Sequence, residues 1–172
     1  VNQKTAVALT GRSGEELEEY KKLLLKLNNE VVAAAPEDLL INTHVCRGNY
    51  HSTFFSSGAY DSVAELLFGE ENVNAYYLEY DDERSGGFAP LAKVTGDKKV
   101  VLGLITTKTP ELEDREKVIN RIHQAAKYIP LDRLYLSPQC GFASCEIGNK
   151  LTEEEQWEKL RLVKEIAEEV WG

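Results

Sequence analysis

Four short apolar segments alternate with amphipathic segments along this chain, and this alternation constrains its fold more than any other feature. The apolar segments are LLINTHVC (39–46), AYYLEYD (75–81), KKVVLGLIT (98–106) and RLYLSPQ (133–139). Their polarity hardly alternates, which is typical of strands buried on both faces of a parallel sheet. Strands and helices in turn therefore predict an α/β protein of βαβ units with right-handed crossovers.

Helical periodicity marks the segments between and after these strands. Apolar residues at helical spacing predict an amphipathic helix over about 14–34, and GAYDSVAELLF (58–68) predicts a second. Pro110 is expected to open a third helix that runs to about Tyr128. Thr152 precedes Glu155 by three residues, a capping-box pattern that predicts the start of a last helix.

Composition excludes several classes of partner. The chain has 172 residues and a net charge of −9, which argues against nucleic acid or an anionic membrane. No apolar run approaches the roughly 20 residues of a membrane span, and no signal peptide is visible. Three Cys indicate reduced thiols and a cytoplasmic protein rather than a disulfide framework. A chain that begins at Val1 and lacks Met is expected to be a fragment of something longer.

Candidate metal ligands close three of the predicted strands. His44 and Cys46 lie two residues apart, so the period of a strand places both on one face. Glu79 and Cys140 end two later strands, and zinc accepts all of these donor types. Taken singly, each has a simpler interpretation: a buried thiol, a core histidine, or a carboxylate paired with Arg84. Their shared position at strand ends favours a zinc site.

The same ligands discriminate between two architectures that fit the alternation, a doubly wound sheet and part of a (β/α)8 barrel. Barrel enzymes assemble their chemistry at the carboxyl ends of several strands, where these residues lie. A complete barrel needs about 250 residues, whereas four strands are clear here. We therefore predict that residues 1–172 form a single partial domain, the carboxyl-terminal half of a TIM barrel.

The donor charges indicate the chemistry. Two thiolates and one carboxylate outweigh Zn²⁺, and such a site activates water poorly compared with neutral ligands. It can still deprotonate an incoming thiol, with Glu79 as the hardest ligand and the natural one to yield. This predicts alkyl transfer to a thiol. Cys145 is a weaker alternate ligand, and His51 and His123 have no partner pattern.

Four motifs, THVCRGN, LEYDDERSG, LGLITTKTPELE and LSPQCGFAS, occur in the order and spacing of one known family. From about Leu39 to Trp171 the chain resembles the carboxyl-terminal catalytic barrel of cobalamin-independent methionine synthase and its shorter bacterial relatives. The resemblance implies zinc ligands at His44, Cys46, Glu79 and Cys140. It also implies methyl transfer from a methyltetrahydrofolate-type donor to the thiol of homocysteine.

The chain departs from that family at two points. Lys108 stands where the full synthases carry a proton-donating His, so it is predicted to deliver a proton or bind a substrate carboxylate, with a solvated loop lysine as the alternative. This difference resembles shorter relatives and thiol alkyltransferases that use epoxides, so an epoxyalkane/coenzyme M type of transfer stays open. The family's first four strands are also absent. The chain is therefore expected to pair with the missing half-barrel or to form a homo-oligomer, and alone to bind zinc without turnover. A catalytically inert fragment with a structural zinc stays open as an alternative.

Overall fold

A computed structural model describes residues 3–172 and contains one sheet of four parallel strands. The strands are β1 (Asn42–Val45), β2 (Ala75–Glu79), β3 (Lys99–Ile105) and β4 (Leu134–Pro138), paired in the order β1-β2-β3-β4. A doubly wound sheet reverses its strand order at a switch point, whereas a barrel adds each strand beside the previous one. The unreversed order confirms the predicted parallel β/α fold and favours the barrel over the doubly wound sheet.

Within residues 3–172, five α-helices accompany the sheet: α1 (Gln3–Thr10), α2 (Gly14–Ala33), α3 (Ala64–Glu70), α4 (Arg115–Ala125) and α5 (Glu153–Trp171). The predicted helix over 14–34 is confirmed as α2. The capping box at α5 is also confirmed, because Thr152 accepts from the Glu155 N–H while the Glu155 side chain accepts from the Thr152 N–H. The helix α1 was not predicted.

Two predicted helix starts were wrong. The helix expected from residue 58 begins at Ala64, because Tyr60 turns inward and its hydroxyl bonds the backbone of β2. The helix expected from Pro110 begins at Arg115, where the Asp114 carboxylate accepts from the Lys117 N–H at 2.9 Å. An acidic N-cap satisfies a free helix donor, which proline at the first position does not.

The sheet has two unlike faces. One face packs against the helices in the main core, which includes Tyr76, Leu78, Phe68, Ile122 and Ile166. On the other face, Tyr77 and Tyr135 are each 40% exposed, so this side is only partly covered and the expected burial on both faces is incomplete. Among residues 3–172, every helix is too short or too polar to span a lipid bilayer.

Candidate metal centre

Four metal-ligating side chains converge where the parallel strands end on the open face. One donor atom from each of His44, Cys46, Glu79 and Cys140 lies within 4.8 Å of the other three. His44 is directly beside Tyr77 in the register of β1 and β2, so Cys46 and Glu79 follow at the same level. Strand register thus brings His44, Cys46 and Glu79 together.

The backbone of β2 fixes how His44 presents its ring. Its Nδ1 lies 3.0 Å from the carbonyl oxygen of Tyr77, which can only accept, so Nδ1 carries the proton. The other ring nitrogen, Nε2, then points to the Cys140 sulfur at 3.3 Å. In metal sites, a histidine ligand is oriented by the hydrogen bond that its other ring nitrogen donates, as Nδ1 does here.

Glu79 is fully buried, and its two carboxylate oxygens face different surroundings. Oε1 lies 2.9 Å from the Cys140 sulfur and 3.6 Å from the Cys46 sulfur. Oε2 lies 3.7 Å from a guanidinium nitrogen of Arg47 and 3.7 Å from one of Arg84, and it has no hydrogen-bond partner among the described residues. One oxygen therefore faces the thiols and the other faces two cations.

Tyr60 holds the backbone of Glu79 in place. Its hydroxyl accepts from the Glu79 N–H at 2.9 Å and from Arg47 Nη1 at 2.8 Å, and it donates to the Glu79 carbonyl at 3.2 Å. Burial raises the pKa of Tyr60 to about 12, so the hydroxyl stays neutral and remains a donor. The Arg47 guanidinium also stacks 4.2 Å above the Tyr60 ring centre.

Cys140 is placed by the loop that follows β4. The register of β3 and β4 shifts between Gly103 and Ile105, and bulges of this kind re-aim side chains near active sites. The buried Gln139 then locks the strand end, since its Oε1 accepts from the Thr107 N–H at 2.6 Å and its Nε2 donates to Thr107 Oγ1 at 2.9 Å. Burial, and then the nearby Glu79 carboxylate, raise the pKa of the Cys140 thiol.

The donor set fits a tetrahedral divalent ion. Zinc bonds of about 2.3 Å to sulfur and 2.0–2.1 Å to nitrogen imply donor separations of about 3.5 to 3.8 Å. The observed separations are 3.5 Å between the two sulfurs, 3.3 Å from His44 Nε2 to Cys140 and 3.6 Å from Cys46 to Glu79. The shorter 2.9 Å contact of Cys140 with Glu79 is a thiol-to-carboxylate hydrogen bond that a metal would replace.

The other predicted residues lie outside this cluster. Lys108 contacts the loop after β1, with its ammonium 3.1 Å from Asn49 Oδ1. Cys145 is exposed in the loop after β4, and the metal-ligand cluster found among residues 3–172 does not include it. His123 is exposed on α4, and His51 lies in a tight turn at φ 43°.

Arg47 and Tyr60 are site residues that the sequence did not reveal. Arg47 is 1% exposed in the structure. The available signal in the sequence was an arginine directly after the His-x-Cys pair. Tyr60 lay within a predicted helix, so nothing in the sequence indicated that its side chain would contact the backbone of Glu79.

Comparison with known proteins places the chain in one family. The sequence model described as "Cobalamin-independent synthase, Catalytic domain" matches residues 19–169. The Bacillus subtilis (strain 168) protein YxjG is 52% identical over 159 residues, which are 92% of this chain and 42% of that protein. The chain therefore spans less than half the length of this relative.

Two solved structures share the fold. A Listeria monocytogenes relative of the vitamin-B12 independent methionine synthases superposes with a TM-score of 0.72 and 44% identity, covering 94% of this chain and 43% of that one. A B12-independent methionine synthase from Shewanella sp. W3-18-1, in complex with selenomethionine, gives a TM-score of 0.70 at 22% identity and covers 89% and 44% of the two chains. This chain belongs to the cobalamin-independent synthase family, as a methionine synthase-like catalytic domain.

Proposed function

We propose that this chain carries the zinc site of a methyltransferase that moves a methyl group from a methyltetrahydrofolate-type donor to the thiol of homocysteine. The observation that carries the proposal is the convergence of His44, Cys46, Glu79 and Cys140 within 4.8 Å, in a chain of this family. This is a donor set with two thiolates and a histidine, which suits zinc better than the harder divalent ions.

The donors decide what a metal can do there. A zinc ion held by two thiolates, a carboxylate and an imidazole would lower the pKa of an incoming thiol while leaving its sulfur electron-rich. Glu79 is the donor best placed to make room, because its second oxygen already faces Arg47 and Arg84 at 3.7 Å each. Among the residues that the structure describes, neither cysteine nor His44 is hydrogen-bonded to a lysine or arginine, and Cys46 accepts the neutral Gly48 N–H.

Space for small substrates lies on both sides of His44. A cavity of about 330 Å³ reaches from Cys46 to the apolar side of α2 at Leu24, and one of about 380 Å³ extends from His44 past Cys140 to Phe142. The second is lined in part by Tyr77 of the partly covered face, whereas the first lies beside β1, between α2 and α3. Small-molecule sites are concave and mainly apolar with a few polar groups, and these cavities have that character.

The remaining part of the active site is proposed to come from further β/α units. The relatives are more than twice as long as the matched region, because this chain covers 42% to 44% of them. The half-covered face with Tyr77 and Tyr135 is the surface that further strands would close. We accordingly expect the 172-residue chain to bind zinc without catalysing methyl transfer.

Metal content tests the site, with two cysteines as a matched pair. The chain is saturated with zinc, washed with a weak chelator and analysed by elemental mass spectrometry. We expect one zinc per chain in the wild type and in Cys145→Ser, and almost none in Cys140→Ser. Equal zinc in all three would remove the metal site from the proposal. Methyl transfer is then assayed with homocysteine and methyltetrahydrofolate in a longer relative such as YxjG, with and without the matching cysteine substitution.

A further inference from the structure

The ammonium of Lys108 is fully engaged by the loop that follows β1. Its Nζ lies 3.4 Å from the Gly48 carbonyl, 3.1 Å from Asn49 Oδ1 and 3.2 Å from the Thr53 carbonyl. A lysine ammonium has three N–H donors and no acceptor. Three acceptors therefore saturate Lys108, and all of them belong to one short segment.

That segment contains a turn that its own sequence does not favour. Tyr50 and Thr53 exchange two backbone hydrogen bonds, of 3.2 Å and 2.9 Å, around His51 and Ser52. Those two central residues have φ values of 43° and 63°, in the left-handed region, which residues other than glycine adopt only at a conformational cost. Such a turn persists only when its surroundings hold it. Lys108 bonds the Thr53 carbonyl at one end of the turn and Asn49 directly before the other end.

The same segment carries a hydrogen bond to one of the candidate metal ligands. The Gly48 N–H donates to the Cys46 sulfur at 3.3 Å, while the Gly48 carbonyl accepts from Lys108. The two peptide groups that flank the Gly48 Cα are thus fixed, one by the sulfur and one by the ammonium. Gly48 has a φ of 99°, and an added Cβ would lie 2.7 Å from the Phe55 nitrogen, so the Gly48 and Phe55 backbones pack closely against each other.

We infer that Lys108 is a positioning residue for Cys46, acting through the Gly48 peptide. By anchoring Gly48, Asn49 and Thr53, it keeps the Gly48 N–H directed at the sulfur. A hydrogen bond to a thiolate ligand withdraws electron density from it and fixes its direction, as outer groups do in metal sites generally. The inference rests on the proposed function in one respect, namely that Cys46 binds the metal.

Cobalt in place of zinc supplies a readout that simple loss of stability would not give. Thiolate-bound Co²⁺ has a near-ultraviolet charge-transfer band whose energy reports electron density on sulfur. In Lys108→Met we expect this band to shift and the affinity for Co²⁺ to fall by about 10- to 100-fold. Lys117→Met, on the exposed side of α4, is the matched control and should leave the band and the affinity unchanged.

A second variant provides an independent test in case Lys108→Met does not fold. Asn49→Ala removes one acceptor of Lys108 and should shift the band in the same direction. Because both residues act in one network, the double variant should lose less affinity than the two single losses combined. If Lys108→Met does not fold, an unshifted band in Asn49→Ala overturns the inference on its own.

The wild type separates this inference from the proposed function. If wild-type protein shows no thiolate-to-cobalt band, Cys46 and Cys140 do not bind the metal and the proposed function fails. If the wild type shows the band, and folded Lys108→Met has the same band and affinity, the positioning role is refuted while the metal site stands.

Discussion

Lys159 of α5 is fully buried and ties that helix to the loop after β3. Its ammonium lies 2.7 Å from the Glu111 carbonyl and 3.2 Å from each carboxylate oxygen of Glu113. Glu113 in turn accepts from the Thr106 N–H at 2.8 Å, two residues before Lys108. We predict that Lys159→Met is one of the more destabilising single changes in this chain.

The magnitude follows from what the substitution leaves behind. Removing one partner of a buried ion pair costs about 3–5 kcal/mol, because the other charge stays without compensation. Glu113 is 18% exposed and keeps some hydration, and Met refills the space of the lysine stem, so we take the lower limit of about 3 kcal/mol. For a domain of this size, 1 kcal/mol shifts the midpoint by about 2–4 °C, which gives a decrease of about 6–12 °C.

The same helix provides the control. Lys164 pairs with Glu168 at 3.2 Å, but their side chains are 73% and 63% exposed, so Lys164→Met should cost below about 0.5 kcal/mol. Thermal unfolding followed by circular dichroism compares the two variants with the wild type. Adding Glu113→Gln to Lys159→Met should recover part of the loss, because it removes the uncompensated carboxylate. Equal midpoints for Lys159→Met and Lys164→Met would refute the reasoning.

Three further outcomes are expected. Gly48→Ala should lose about 1–3 kcal/mol of stability by urea titration, because its Cβ would meet the Phe55 backbone, and it should also bind metal more weakly. The control is Gly96→Ala, at φ 65° with open space around it, which should bind metal normally. Equal metal affinities of the two variants would contradict this prediction. Burial raises the pKa of Glu71, so the folded state holds the proton more tightly, and wild-type stability falls as pH rises through the window between the ordinary and the raised pKa. Glu71→Gln should therefore increase the free energy of unfolding near pH 7.5, as measured by urea titration. An increase that did not shrink on acidification would count against this reasoning. Zinc at 100 times its Kd should raise the unfolding free energy by about 2.7 kcal/mol in the wild type, and a similar rise in Cys140→Ser would argue against the site.

The part of the site that the sequence predicted is the part that strand register controls. Cys46 and Glu79 are 33 residues apart, and Glu79 and Cys140 are 61 apart, yet each ends a strand of one parallel sheet. The carboxyl ends of parallel strands meet at one edge, so identifying the strands was enough to bring these ligands together. Short apolar segments rich in β-branched and aromatic residues and bounded by turn residues favour strands over helices.

The parts that the sequence did not predict depend on competition between local signals or on loop geometry. Pro110 and Asp114 both fit a helix start, and the carboxylate cap decided between them. The left-handed conformations of His51 and Ser52 carry no glycine signal, because distant contacts such as the hydrogen bond from Ser52 Oγ to Asn149 maintain them. The inferred positioning role of Lys108 depends on that turn, so the sequence did not predict this role either.

Charge balance gives a reason for the buried arginines behind Glu79. With both thiols protonated and no metal, the four donors carry the single negative charge of Glu79. With a divalent ion and two thiolates they also carry one net negative charge, so metal binding releases two protons and leaves the field at Arg47 nearly unchanged. Under the proposed function, a substrate thiolate that takes the place of Glu79 adds a second negative charge. Arg47 is 1% exposed, lies 3.7 Å from the Glu79 carboxylate and is bonded otherwise to the neutral oxygens of Gly58, Tyr60 and the Glu79 backbone, so among the described residues it is well placed to compensate this charge. Arg84 is less available, because it already pairs with Asp81 at 2.7 Å and with Asp82.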